Sequence, residues 1–268
     1  MAIDEITERV RQGFFQSRIL EARNLIPTNE IISSIDEVSR PVAYFLENDP
    51  PETVITLGRS GILSRILLDR GLRGKKRNFP MVRMDGNVNQ LLYKASYPEE
   101  ITEEQRIQRL TQLFSNEYSA LPRRKKIVVV DEFIQSGVKA VEVLSRFHAL
   151  GFRNISWACF TAEKDVDFTS EEYLEKLYKE NERFPTFIDT FEKVRSGEAG
   201  VDLKRDVFIG SYNQTAHEYL KKLANLISVT KVSLYDDPKE IIDDSIKDQL
   251  AKDLSNVLRG IATAQTTS

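Results

Sequence analysis

The chain has 268 residues, 41% hydrophobic and 29% charged, enough for one large domain or a core with helical additions and too apolar for a disordered chain. Its 38 basic and 41 acidic residues leave a formal net charge of −3, so no global attraction to nucleic acid is expected and any basic patch must be local. The single cysteine, Cys159, excludes an intramolecular disulfide, the N-terminus lacks the apolar stretch of a secretory signal, and no apolar run approaches the roughly 20 residues that span a bilayer, so a cytoplasmic protein without a membrane partner is expected.

In chain order, residues 1–50 read as a helical segment. Ile3, Ile6, Val10 and Phe14 recur at helical spacing, and a second stripe runs through Ile32, Ile35, Val38, Val42 and Phe45. Pro41 lies inside that stripe and predicts a kink or two short helices. Asp49-Pro50-Pro51 marks a boundary, after which a central unit over 51–165 is expected. Val54–Leu57 reads as a strand, and Ile62–Arg70 as a helix stopped by Gly71. Phe79–Met84 is a further candidate strand. Thr102 with Gln105 predicts a capping box before a helix that buries Ile107, Leu110, Leu113 and Phe114. The apolar run Ile127–Val130 predicts a strand covered on both faces, followed by a helix over Gly137–Ala149 that stops at Gly151. Ile155–Phe160 is the next strand, with Cys159 and Trp157 as core residues. Residues 166–268 form a charged C-terminal extension, with a strand at Val207–Ser211 and helices at His217–Ile227 and Ile241–Leu258. Alternating strands and helices predict an α/β protein with a parallel, Rossmann-like sheet, flanked by N- and C-terminal mainly helical segments. Such sheets bind ligands at the carboxyl ends of their strands.

Two loops there carry chemistry. In Ile127–Lys139 a buried strand ends in Asp131 and Glu132, and Gln135, Ser136, Gly137, Val138 and Lys139 open a helix. A helix N-terminus presents unpaired N–H groups and positive dipole to a phosphate. The two carboxylates suit vicinal ribose hydroxyls, directly or through hydrated Mg²⁺. Upstream, Gly58-Arg59-Ser60-Gly61 is again a glycine loop between strand and helix.

The first loop resembles the phosphoribosyl-pyrophosphate motif of type I phosphoribosyltransferases, and the second stands where that family has its pyrophosphate loop. The resemblance covers roughly residues 50–165. It implies a phosphoribosyltransferase fold, Mg²⁺ as cofactor and transfer of a phosphoribosyl group to a nitrogenous base. Asp131 and Glu132 would take the ribose, Gln135 to Lys139 the 5′-phosphate, and Arg59, Ser60 and Gly61 the pyrophosphate. Asp85–Tyr97, with Lys94, is the expected mobile loop. A homodimer is the family's usual assembly, and the terminal helices offer a surface for a protein partner. Gln135, Lys139 and Glu132 depart from the family's usual residues, which keeps open a non-catalytic regulator or a scaffold of the same fold. No protein metal site is expected, because His148 and His217 fall on separate predicted helices and no zinc-type spacing occurs. The basic run Arg70–Arg77 reads as a solvated turn.

Overall fold

The structure is a computed structural model that describes residues 16–58, 60–73, 75–84, 87–92, 102–228 and 245–263. Its centre is a sheet of five parallel strands: β1 (Thr53–Leu57), β2 (Met81–Met84), β3 (Ile127–Ile134), β4 (Ile155–Ala162) and β5 (Val207–Ile209). Their spatial order is β2-β1-β3-β4-β5. Going outward from the middle, the chain moves from β1 to β2 on one side and through β3, β4 and β5 on the other. The connections therefore diverge between β1 and β3, and a parallel sheet opens a crevice at that point.

Helices cover both faces. On one face lie α1 (residues 16–24), α2 (Asn29–Asn48), α3 (Gly61–Gly71), α10 (Gln214–Ser228) and α11 (Ser245–Thr263), packed on Val54, Val128, Val130, Ala158 and Phe160. On the other lie α4 (Asn87–Leu92), α5 (Glu103–Asn116), α6 (Val138–Ala149), α7 (Glu171–Glu180), α8 (Pro185–Arg195) and the short α9 (Leu203–Asp206), packed on Ile55, Leu57, Ile127, Val129, Trp157 and Cys159. Successive strand residues point to opposite faces, so β1, β3 and β4 are buried on both and read as near-continuous apolar runs, interrupted in β3 by Asp131 and Glu132. Cys159 and Trp157 are core residues, as expected. Among the described residues no helix is long and apolar enough to cross a membrane.

Several boundaries differ from expectation. Pro41 does not split α2, which runs unbroken over Asn29–Asn48. Ile35, Val38, Val42 and Leu46 are all buried on either side of the proline, so one packed stripe holds the helix across its lost hydrogen bond. Gly71 ends α3 from within its last turn and is not a left-handed stop; a Cβ there would stand 2.4 Å from the Ser39 carbonyl oxygen, so glycine is what lets α2 and α3 approach. Arg70 is buried and not in a solvated turn: its guanidinium bonds Asp36 at 2.7–2.8 Å and donates to the Ile261 carbonyl, tying α2, α3 and α11 together. The capping box at Thr102 forms as read, with Gln105 returning a bond at 3.0 Å.

Candidate functional site

Strand β3 does not end at Val130 but continues to Ile134, so Asp131 and Glu132 lie inside the ladder and not beyond it. The cause is β4, which runs to Ala162 and keeps pairing: Asp131 is opposite Cys159, Phe133 opposite Thr161 and Ile134 opposite Ala162. Both acids are thereby buried, at 4% and 2% exposure.

Each acid is held by a different helix. Lys139, in the first turn of α6, places Nζ 2.9 and 3.0 Å from the two carboxylate oxygens of Asp131. Ser64 of α3 donates from Oγ to Glu132 Oε1 at 2.8 Å. Since α3 and α6 cover opposite faces, the acid pair is clasped from both sides of the sheet. Burial and the adjacent, hydrogen-bonded Asp131 carboxyl push the Glu132 acid up to about 8, against the weaker pull of Lys139 and Ser64. At neutral pH Glu132 therefore holds its proton.

The loop after β3 follows the sequence reading in outline. Gln135 is exposed, Ser136, Val138 and Lys139 are half-buried, and Gly137 is the residue before α6 with φ 72°. That left-handed conformation favours glycine. The loop is also packed over by the segment after β4. The Phe168 ring lies where a Gly137 Cβ would go, 2.4 Å from its Cζ, and Tyr173 donates its hydroxyl to the Ser136 carbonyl at 3.1 Å. Tyr212 donates to the Val166 carbonyl at 3.0 Å and anchors the start of that segment.

The upstream loop turns at Gly58, φ 69°, whose N–H donates to the Met84 carbonyl of β2 at 2.6 Å. Ser60 precedes α3 without a side-chain cap, and Gly61 is its first residue. A Cβ on Gly61 would stand 2.8 Å from Thr56 Oγ1, so the loop lies close on β1. Arg59 falls outside the described residues, as does Lys94. The expected mobile loop is corrected in part: Asn87–Leu92 is a helix with Val88 and Leu92 buried, and Arg146 and Arg106 donate to the Leu92 and Leu91 carbonyls.

The two loops thus flank the β1/β3 divergence, with the acid pair between α3 and α6. Sequence reasoning missed Ser64, Phe168, Tyr173 and Arg83. Ser64 had a signal, as a polar residue inside the apolar run Ile62–Leu68. Arg83 is the exposed third residue of β2, paired in register with Thr56, and its Cγ lies 3.5 Å from the Gly61 Cβ position. Phe168 and Tyr173 come from sequence-distant chain and carried no local signal.

A directly bound Mg²⁺ does not fit this donor set. Both Asp131 oxygens hold Lys139 and Glu132 keeps its proton, so two ionised carboxylates are not on offer. Among the described residues no group of three or more His, Cys, Asp or Glu side chains is placed to hold a metal. Set against known proteins, the chain matches no family model and no curated protein sequence.

Proposed function

We propose that the protein binds a phosphoribosyl ligand, phosphoribosyl pyrophosphate or a nucleotide, at the β1/β3 divergence and transfers the phosphoribosyl group to a nitrogenous base. The observation that carries the reading is topological: two glycine loops, each leading from a strand into a helix, flank the divergence point of a β2-β1-β3-β4-β5 parallel sheet, with a buried acid pair in the C-terminal half of β3. The first turn of α6 offers N–H groups and Lys139 to the 5′-phosphate. The start of α3 offers N–H groups, and Arg83 a guanidinium, to the pyrophosphate. Asp131 accepts from the ribose hydroxyls and lends negative charge to a transition state that gains positive charge at the anomeric carbon. Glu132, neutral below pH about 8, donates a hydrogen bond and adds no second charge. Lys139 supplies the cation beside the acids, and no step runs through Mg²⁺. Catalysis is then positioning plus stabilisation of the departing pyrophosphate.

A specific observation favours a second reading, a binding or scaffold protein without turnover. Lys139 already satisfies Asp131, and Phe168 is packed on Gly137, so the site is closed on itself. Pyrophosphate release separates the two. With purine and pyrimidine bases and phosphoribosyl pyrophosphate, release above background that is lost in Asp131→Asn supports transfer. Background release together with ligand stabilisation supports the regulator.

A further inference from the structure

Beside the acid pair, the carboxyl end of β4 holds a second polar cluster that the phosphate loops do not use. Glu163 follows β4 directly, and its N–H donates to the Ile134 carbonyl at the end of β3 at 3.0 Å. Its side chain is about a third exposed, and Oε1 stands 3.3 Å from Lys221 Nζ and 3.7 Å from His217 Nε2. His217 and Lys221 are one turn apart on α10. The His217 ring stands edge-on to Phe133, the residue after Glu132, with centroids 5.5 Å apart.

His217 is fully buried, and among the described residues neither ring nitrogen has a hydrogen-bond partner. A buried polar group left unpaired costs about 1–3 kcal/mol, so it marks a place where something else completes the bonding. The charged groups facing the ring are Glu163, Lys221 and Glu218. Burial outweighs the two carboxylates and holds the imidazole below its usual range, so it is neutral at pH 7, with one N–H and one lone pair unused. The cluster therefore presents a solvent-reachable carboxylate, flanked by Lys221 and backed by a neutral imidazole, next to the strand that carries the acid pair.

We propose that Glu163, His217 and Lys221 form the acceptor side of the site, binding the N–H edge of the nitrogenous base and taking up its proton. The proposal rests on the phosphoribosyl-transfer reading above. The nitrogen attacks the anomeric carbon with its lone pair and forms the C–N bond. The C–O bond to pyrophosphate breaks, and pyrophosphate leaves with that electron pair. The proton on the attacking nitrogen passes to a Glu163 carboxylate oxygen. Glu163 is the catalytic residue, because it reaches solvent and so the substrate. His217 is a positioning residue: its buried ring packs behind the carboxylate, with Nε2 3.7 Å from Oε1.

The test uses the full chain, with Glu163→Gln and His217→Asn. Binding of phosphoribosyl pyrophosphate is read by thermal shift, and pyrophosphate release is followed with adenine, hypoxanthine and uracil. Glu163→Gln keeps the ligand-induced shift and lowers kcat about 100-fold with the preferred base, and Glu163→Asp restores part of that rate. His217→Asn lowers kcat about tenfold, with KM for phosphoribosyl pyrophosphate unchanged. If His217→Asn does not fold, the surface-reaching Glu163→Gln carries the test alone. Wild-type kcat in Glu163→Gln overturns the proposal, as does a wild type that binds phosphoribosyl pyrophosphate yet turns over none of the bases. A wild type not stabilised by phosphoribosyl pyrophosphate overturns the underlying reading instead, and the proposal with it.

Discussion

The two strand-to-helix crossings that look alike in the sequence differ in what holds them. The β1–α3 crossing turns at Gly58, φ 69°, and the β3–α6 crossing at Gly137, φ 72°. At the first, Gly61 packs on Thr56 of the strand it has just left. At the second, Gly137 packs on Phe168, some thirty residues on, and Ser136 is held by Tyr173. A loop held by its own strand is shaped locally, whereas a loop held by a distant segment depends on tertiary packing. The difference extends to the neighbouring polar side chains: Lys139 is half-exposed and pairs with a buried acid, while Ser64 is fully buried and bonds a protonated one.

The largest effect should come from breaking the second loop. Gly137→Ala places a Cβ against the Phe168 ring at a left-handed residue and should cost about 2–4 kcal/mol, read from urea unfolding. Adding Phe168→Ala should return the steric part of that loss, so a double-mutant cycle with large coupling sharpens the contrast and a purely additive one breaks it. Gly61→Ala, where the close neighbour is a hydroxyl and the backbone is helical, should cost about 1 kcal/mol.

Lys139→Met leaves the buried Asp131 carboxylate without its ammonium partner. With a quarter of the lysine side chain exposed, the loss should be about 1–3 kcal/mol, and Asp131→Asn in the same chain should recover part of it.

The Glu132 acid makes stability depend on pH with a definite sign. Its folded value, about 8, lies above the ordinary 4.5, so between those values the folded chain holds a proton that the unfolded chain releases. Stability therefore falls as pH rises through that window and levels off above it. Thermal melts of Glu132→Gln should lose this slope and exceed wild type at pH 8, and a retained slope would remove the proton from Glu132. Ser64→Ala is the smallest change, about 0.5–1.5 kcal/mol, and because the serine bond favours the ionised form, the midpoint of that slope should move to higher pH.

The sheet was legible because β1, β3 and β4 are buried on both faces and so read as largely apolar runs, and because caps such as Thr102 act through residues three positions apart. The end of β3 was not, since two acids look like a strand terminus until β4 is seen to pair past them. Pro41 misled for the same reason in reverse: the burial of Val38 and Val42 on each side outweighs one missing backbone bond. At the site, the loop positions could be read from glycine and strand patterns. The clasp of Lys139 on Asp131 needed the sheet register, and Phe168, Tyr173 and His217 reach the edge through folding alone, so no local pattern announces them.

On the proposed function, the β1/β3 divergence takes a phosphoribosyl ligand through Asp131. The most direct test is the melting temperature of wild type and Asp131→Asn, with and without phosphoribosyl pyrophosphate. At about 100 times its dissociation constant a ligand adds roughly 2.7 kcal/mol, so wild type should melt several degrees higher and Asp131→Asn should not respond. An unshifted wild type at millimolar ligand, or an equal shift in Asp131→Asn, would contradict the account.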